Sequence, residues 1–170
     1  MEYTMQSLFR TVLLAVALVL LAACDNKDKQ AEAPVAAAPV ELKAPVDGND
    51  REWRLYLTEV VKQNMQGIRS SPFMYYLPSE DAEDFEDQYE RQLDNVLGTV
   101  ARGVLPGNML AFGSPAPERM ADLIEEAFTG ASPGSMKDVR VLYIGGQDEA
   151  ERVRPLVESS GAGFVHVPLD

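Results

Sequence analysis

Cysteine and histidine are almost missing from this chain: its 170 residues hold one of each, Cys24 and His166. A single cysteine excludes an intramolecular disulfide and any zinc site built on cysteine pairs. The folded part must then be held by its apolar core, which about 120 residues can supply without covalent staples. Positive charge is also scarce, with 15 basic side chains against 27 acidic ones and a formal net of −12. A surface of that sign repels phosphate, which argues against nucleic acid as a partner. It suits a basic partner, and it also keeps a protein soluble. No G-x-G-x-x-G or G-x-x-x-x-G-K-[ST] pattern is present, so the sequence names no nucleotide cofactor.

No apolar run reaches the roughly 20 residues that a membrane-spanning helix needs. The longest uncharged one, residues 11–23, has the length of a signal-peptide core, with Arg10 before it and the small residues Ala22 and Ala23 at its end. The lone cysteine follows at once. Leu21-Ala22-Ala23-Cys24 resembles the lipobox of bacterial lipoproteins. That resemblance implies cleavage between Ala23 and Cys24, a diacylglycerol on the Cys24 sulfur, and a lipid-anchored protein facing the periplasm. Glu2, which offsets Arg10, departs from the usual basic start. Asp25, directly after the cysteine, is similar to the inner-membrane retention signal of enterobacterial lipoproteins. Several acyl chains hold far more firmly than one, at about 0.8 kcal/mol per buried methylene.

Residues 24–48 read as a lipidated cysteine and a tether. Ala-Pro-Val units recur there without aromatic residues or helical period, so the segment cannot bury enough to offset its ordering entropy. As a polyproline-like chain it reaches about 70 Å. The folded domain is then expected over residues 49–170.

Within that domain, Trp53, Leu57, Val60, Val61 and Met65 recur at steps of three and four, which predicts a helix from Asp50 to Gln66 capped by Asn49 or Asp50. Phe85, Tyr89, Leu93, Val96, Leu97 and Val100 predict a second, from Glu80 to Arg102, with Ser79 as its cap. The rhythm then changes. Met109–Gly113, Val139–Ile144 and Phe164–Pro168 read as strands, separated by helical patterns over 117–129 and 147–160. The expected fold is α/β: a small three-stranded parallel βαβαβ sheet covered by helices, with two additional amphipathic helices N-terminal to it. Pro155 inside the last helix removes one hydrogen bond.

Candidate chemistry is thin. Ligands of open parallel sheets sit beyond the strand C-termini, which here carry Ser114, Gly145 and Gly146, a candidate crevice for a small ligand. Ser114 could act as a hydrolase nucleophile only with a base in reach, and the flanking residues lack the G-x-S-x-G elbow. His166 alternates with Val165 and Val167, which fits a structural role. Seven of the eleven residues from Glu80 to Glu90 are acidic but lack the glycine and alternation of a calcium loop, so they read as a solvated face rather than a metal site. Ser70–Pro78 holds Phe73, Met74, Tyr75, Tyr76 and Leu77 between two prolines. Phe73, Tyr75 and Tyr76 are candidate partner-binding residues, and packing between the first two helices explains the segment equally well. Together these features point to a lipid-anchored, non-catalytic factor that binds a periplasmic or envelope protein, with a ligand-binding crevice and a small envelope hydrolase as the alternatives. Mass spectrometry of the mature protein is expected to find Cys24 as an acylated N-terminal residue, and Cys24→Ala to move the protein out of the membrane fraction.

Overall fold

A computed structural model describes residues 42–46 and 49–169. Ala23, Cys24, Asp25 and most of the tether lie outside the described residues. No helix among the described residues is long and apolar enough to cross a membrane.

The first element is helix α1, Asp50–Gln63. Asn49 starts it: its Oδ1 accepts from the amides of Arg51 and Glu52 at 3.1 and 3.2 Å, satisfying two donors that the first turn leaves free. The helix ends three residues before the expected Gln66. There the Asn64 side chain donates to the Val60 carbonyl, and Gly67 takes a left-handed φ of 82°.

Four parallel strands follow, one more than expected: β1 (Phe73–Tyr76), β2 (Met109–Gly113), β3 (Arg140–Gly145) and β4 (Gly163–Pro168), in spatial order β1-β2-β3-β4. The strand not anticipated is β1. It is only four residues long and lacks polar alternation, with Phe73 and Met74 exposed and Tyr75 and Tyr76 buried on opposite faces, so its pattern is indistinguishable from a packed loop. Helix α2, Phe85–Arg102, joins β1 to β2; α3, Pro117–Thr129, joins β2 to β3; and α4, Gln147–Ser159, joins β3 to β4.

Helix α2 starts at Phe85 rather than at Glu80, and Ser79 does not cap it. The hydroxyl of Ser79 accepts only from Asp81, at 3.4 Å. Among residues 80–84 only Ala82 has an apolar side chain to bury, so the helix begins where an aromatic ring first reaches the core. Helix α4 continues through Pro155. The carbonyl that proline leaves without a donor belongs to Glu151, an exposed residue.

Side chains alternate across the sheet into two cores. Tyr75, Leu110, Phe112, Val141 and Tyr143 pack under α2, α3 and α4, against Val96, Met120, Ile124, Phe128 and Val153 among others. Tyr76, Met109, Ala111, Leu142 and Ile144 point the other way and meet Trp53, Leu57, Val60 and Val61 of α1. Leu42 and Ala44 pack on this second core, so the packed chain begins at least seven residues ahead of the expected boundary at Asn49.

Leu57 lies so close over Gly113 that a methyl there would overlap its Cδ2, and the Cβ of Ile144 would stand 3.3 Å away. Gly113→Ala is therefore expected to destabilise the domain by about 1–3 kcal/mol through overpacking. Gly130 has φ −91° and open space around it, so Gly130→Ala should be neutral or stabilise by up to about 1 kcal/mol. Urea denaturation of the two variants measures the contrast.

Candidate functional site

The C-terminal ends of the strands are closed by their own loops. Ser114, expected to frame a crevice, is fully buried two residues ahead of Ala116, the position that precedes α3. Its Oγ donates to the Leu77 carbonyl at 2.9 Å and accepts from the Ala116 amide at 2.8 Å. Both capacities of the hydroxyl thus hold the β1–α2 loop to the β2–α3 loop. At Gly145 the Tyr143 ring occupies the space a Cβ would take, and the Tyr143 hydroxyl donates to the Pro117 carbonyl at 3.0 Å. A Cβ on Gly146 would meet the Glu149 carboxylate.

The strand order supplies the reason. Crevices in open parallel sheets arise where the order reverses and successive helices leave for opposite faces. Here every crossover advances one position in the same direction, so α2, α3 and α4 leave on one face and their loops stay packed side by side.

His166 stacks on Tyr143, ring centroids 6.0 Å apart, and its Nε2 lies 2.9 Å from the Gly145 carbonyl oxygen. His166 pairs with Tyr143, which pairs with Phe112, so the histidine lies two strand spacings, roughly 10 Å, from the strand that leads into Ser114. Among the described residues no three His, Cys, Asp or Glu side chains converge as a metal site would require.

Both β1 and β4 are edge strands among the described residues, and the aromatic candidates lie on the β1 edge. Of the three aromatic candidates in that strand only Phe73 is exposed, at 43%, with Met74 beside it at 43%. Tyr75 is buried under α2, stacked on Phe112 at 4.9 Å, and its hydroxyl donates to Thr99 Oγ1 at 3.1 Å. Tyr76 is buried on the α1 face, where its hydroxyl donates to Asp50 Oδ1 at 2.9 Å and Arg54 lies over its ring. Alternation of side chains across the strand therefore divides the three, and two of them are core.

At the N-terminal end of β1, Phe73 lines a cavity of about 240 Å³ with Thr99, Arg102, Val104, Leu105 and Asn108. Leu105 is 78% exposed. The Thr99 hydroxyl donates to the Asn95 carbonyl at 2.8 Å, and Asn108 donates to the Leu105 carbonyl at 2.8 Å while accepting from Ser70. These side chains hold the cavity wall in place. Sequence reasoning missed Arg102, Leu105 and Asn108. Two apolar residues, Val104 and Leu105, stand between Gly103 and Pro106-Gly107 in a turn, and that unusual placement was the available signal.

Compared with known protein families, with curated proteins and with solved structures, the chain matches none.

Burial pushes the Tyr75 and Tyr76 phenols above their ordinary value of 10.0, and for Tyr76 the hydrogen bond to the Asp50 carboxylate pushes further. A neutral phenol in the folded state and an ionising one in the unfolded chain give stability that is complete below pH 10 and declines as pH rises above it. Tyr76→Phe removes one such group. Its stability, followed by urea midpoints from pH 8 to 11, is expected to fall less steeply than that of the parent.

Proposed function

We propose that the protein is a lipoprotein, anchored through Cys24 and facing the periplasm, that works by binding another envelope protein and not by catalysis. The observation that carries the reading is the edge of β1, unpaired among the described residues, where Phe73 stands exposed beside Leu105 and Met74 stands exposed on the α1 face. Native sheets protect an open edge with charge, proline or a bulge, and none of these lies within Phe73–Tyr76. Three of the five large apolar side chains that are exposed among the described residues lie on or next to this edge, Phe73 and Leu105 together and Met74 on the opposite face of the strand.

The lipobox-like Leu21–Cys24, the Ala/Pro-rich segment after it and the acidic balance support the same reading. An anchor with a reach of about 70 Å lets a domain meet partners away from the lipid headgroups. The net charge of −12 favours a protein partner over nucleic acid. Asp25 supports retention in the inner membrane. Against catalysis stands the commitment of the Ser114 hydroxyl to two backbone groups, and of the His166 ring to Gly145.

A photoreactive amino acid placed at Phe73 in cells is expected to yield one discrete protein adduct in the membrane fraction. The same group at Leu55, 60% exposed on α1, should yield none. Absence of an adduct from Phe73 would end this reading.

A further inference from the structure

The exposed residues of β1 form one end of a longer, electrically polar edge. Helix α2 returns from the C-terminal end of β1 to its N-terminal end, so the two ends of the helix lie at opposite ends of the strand. At the C-terminal end of β1 stand Glu80, Asp81, Glu83 and Asp84, all exposed. At the N-terminal end stand Arg69, just before the strand, and Arg102, in the cavity with Phe73 and Leu105. Four of the described basic side chains (Lys62, Arg119, Arg152 and Arg154) are ion-paired with carboxylates. Among the described residues Arg102 makes no ion pair with a carboxylate. The hydroxyl of Thr99 and the side-chain amide of Asn108 are already engaged within the wall, while the Arg102 guanidinium lies over Gly98 of α2 at an exposed position on the cavity's rim.

We propose that this edge receives the extended C-terminal end of another protein. An apolar last side chain enters the cavity between Phe73 and Leu105. Its α-carboxylate meets the Arg102 guanidinium, a pairing suited to two parallel charge-assisted hydrogen bonds. The ligand's backbone pairs with the open side of β1 and runs antiparallel to it. Lysine or arginine several residues upstream then faces Glu80, Asp81, Glu83 and Asp84. At about 240 Å³ the cavity is smaller than the roughly 300–1,000 Å³ of drug-sized ligand pockets, which suits one side chain and a carboxylate. Addition of a strand supplies affinity through the main chain, while the cavity and the two charged ends choose the sequence. The proposal rests on the binding role given above and names the chemistry of the partner.

The test uses the purified mature chain and a fluorescent peptide of about eight residues: two lysines, alternating threonine and valine, and a final leucine with a free carboxylate. Anisotropy is expected to show saturable binding. Amidation of the peptide's C-terminus should weaken it by about tenfold or more, the loss expected for one charge-assisted pair. Arg102→Gln, at an exposed position, should bind the acid and the amide alike, and Leu105→Ser should weaken both. Equal binding of acid and amide by the parent chain overturns the proposal, as does no binding at millimolar peptide. So does a sedimenting dimer that Phe73→Glu dissociates, because the edge would then belong to a second copy. If the peptide fails while Phe73 still yields its adduct in cells, the binding role stands and only this partner chemistry falls.

Discussion

The architecture depends on one constraint: a right-handed crossover that advances one strand at a time always returns to the same face of the sheet. Three such crossovers, through α2, α3 and α4, build a complete layer over one side and leave the other to α1 with help from Leu42 and Ala44. Strands β2 and β3 are covered on both faces, and nearly every residue in them is buried. The first and last strands keep an open edge, because a sheet grown in one direction never turns back to pair with itself.

The same constraint removes the customary binding place. Loops leaving the strand C-termini travel in parallel and brace one another, with the Ser114 hydroxyl and the Tyr143 phenol each reaching a backbone carbonyl of a neighbouring loop or helix start. Polar groups that would serve a ligand elsewhere serve the fold here. What is left open lies at the side of the sheet, where a short uncharged strand meets a small cavity lined by Arg102. Recognition by an edge needs little machinery, since the main chain provides the attraction and a few side chains provide the selectivity.

Helices were easier to read than strands in this chain because a helix declares itself over many residues. Trp53, Leu57, Val60 and Val61 repeat for three turns, and Phe85, Tyr89, Leu93, Val96 and Val100 for four, long enough for the period to stand out. Their ends were less legible. The start of α2 depends on where Phe85 finds the core, and the acidic residues before it look equally suited to a helix. Strand β1 escaped notice because Phe73–Tyr76 is four large apolar or aromatic residues, the first two exposed and Tyr75 and Tyr76 divided between two cores, so no polar alternation marks it. Its aromatic residues were noticed, but nothing in their spacing told an exposed Phe73 from a buried Tyr75.

Local chemistry along the chain determined the uncharged apolar run of residues 11–23 and the cysteine after it, the proline-rich segment, the capped first helix and the alternation of strands with helices. Each depends on neighbours within a few turns. Strand order, the closure of the Ser114 loop and the meeting of Phe73 with Arg102 and Leu105 were decided only by the folded chain. Those contacts join residues some 30 positions apart, and their geometry comes from the direction in which the crossovers advance, which no short-range pattern encodes.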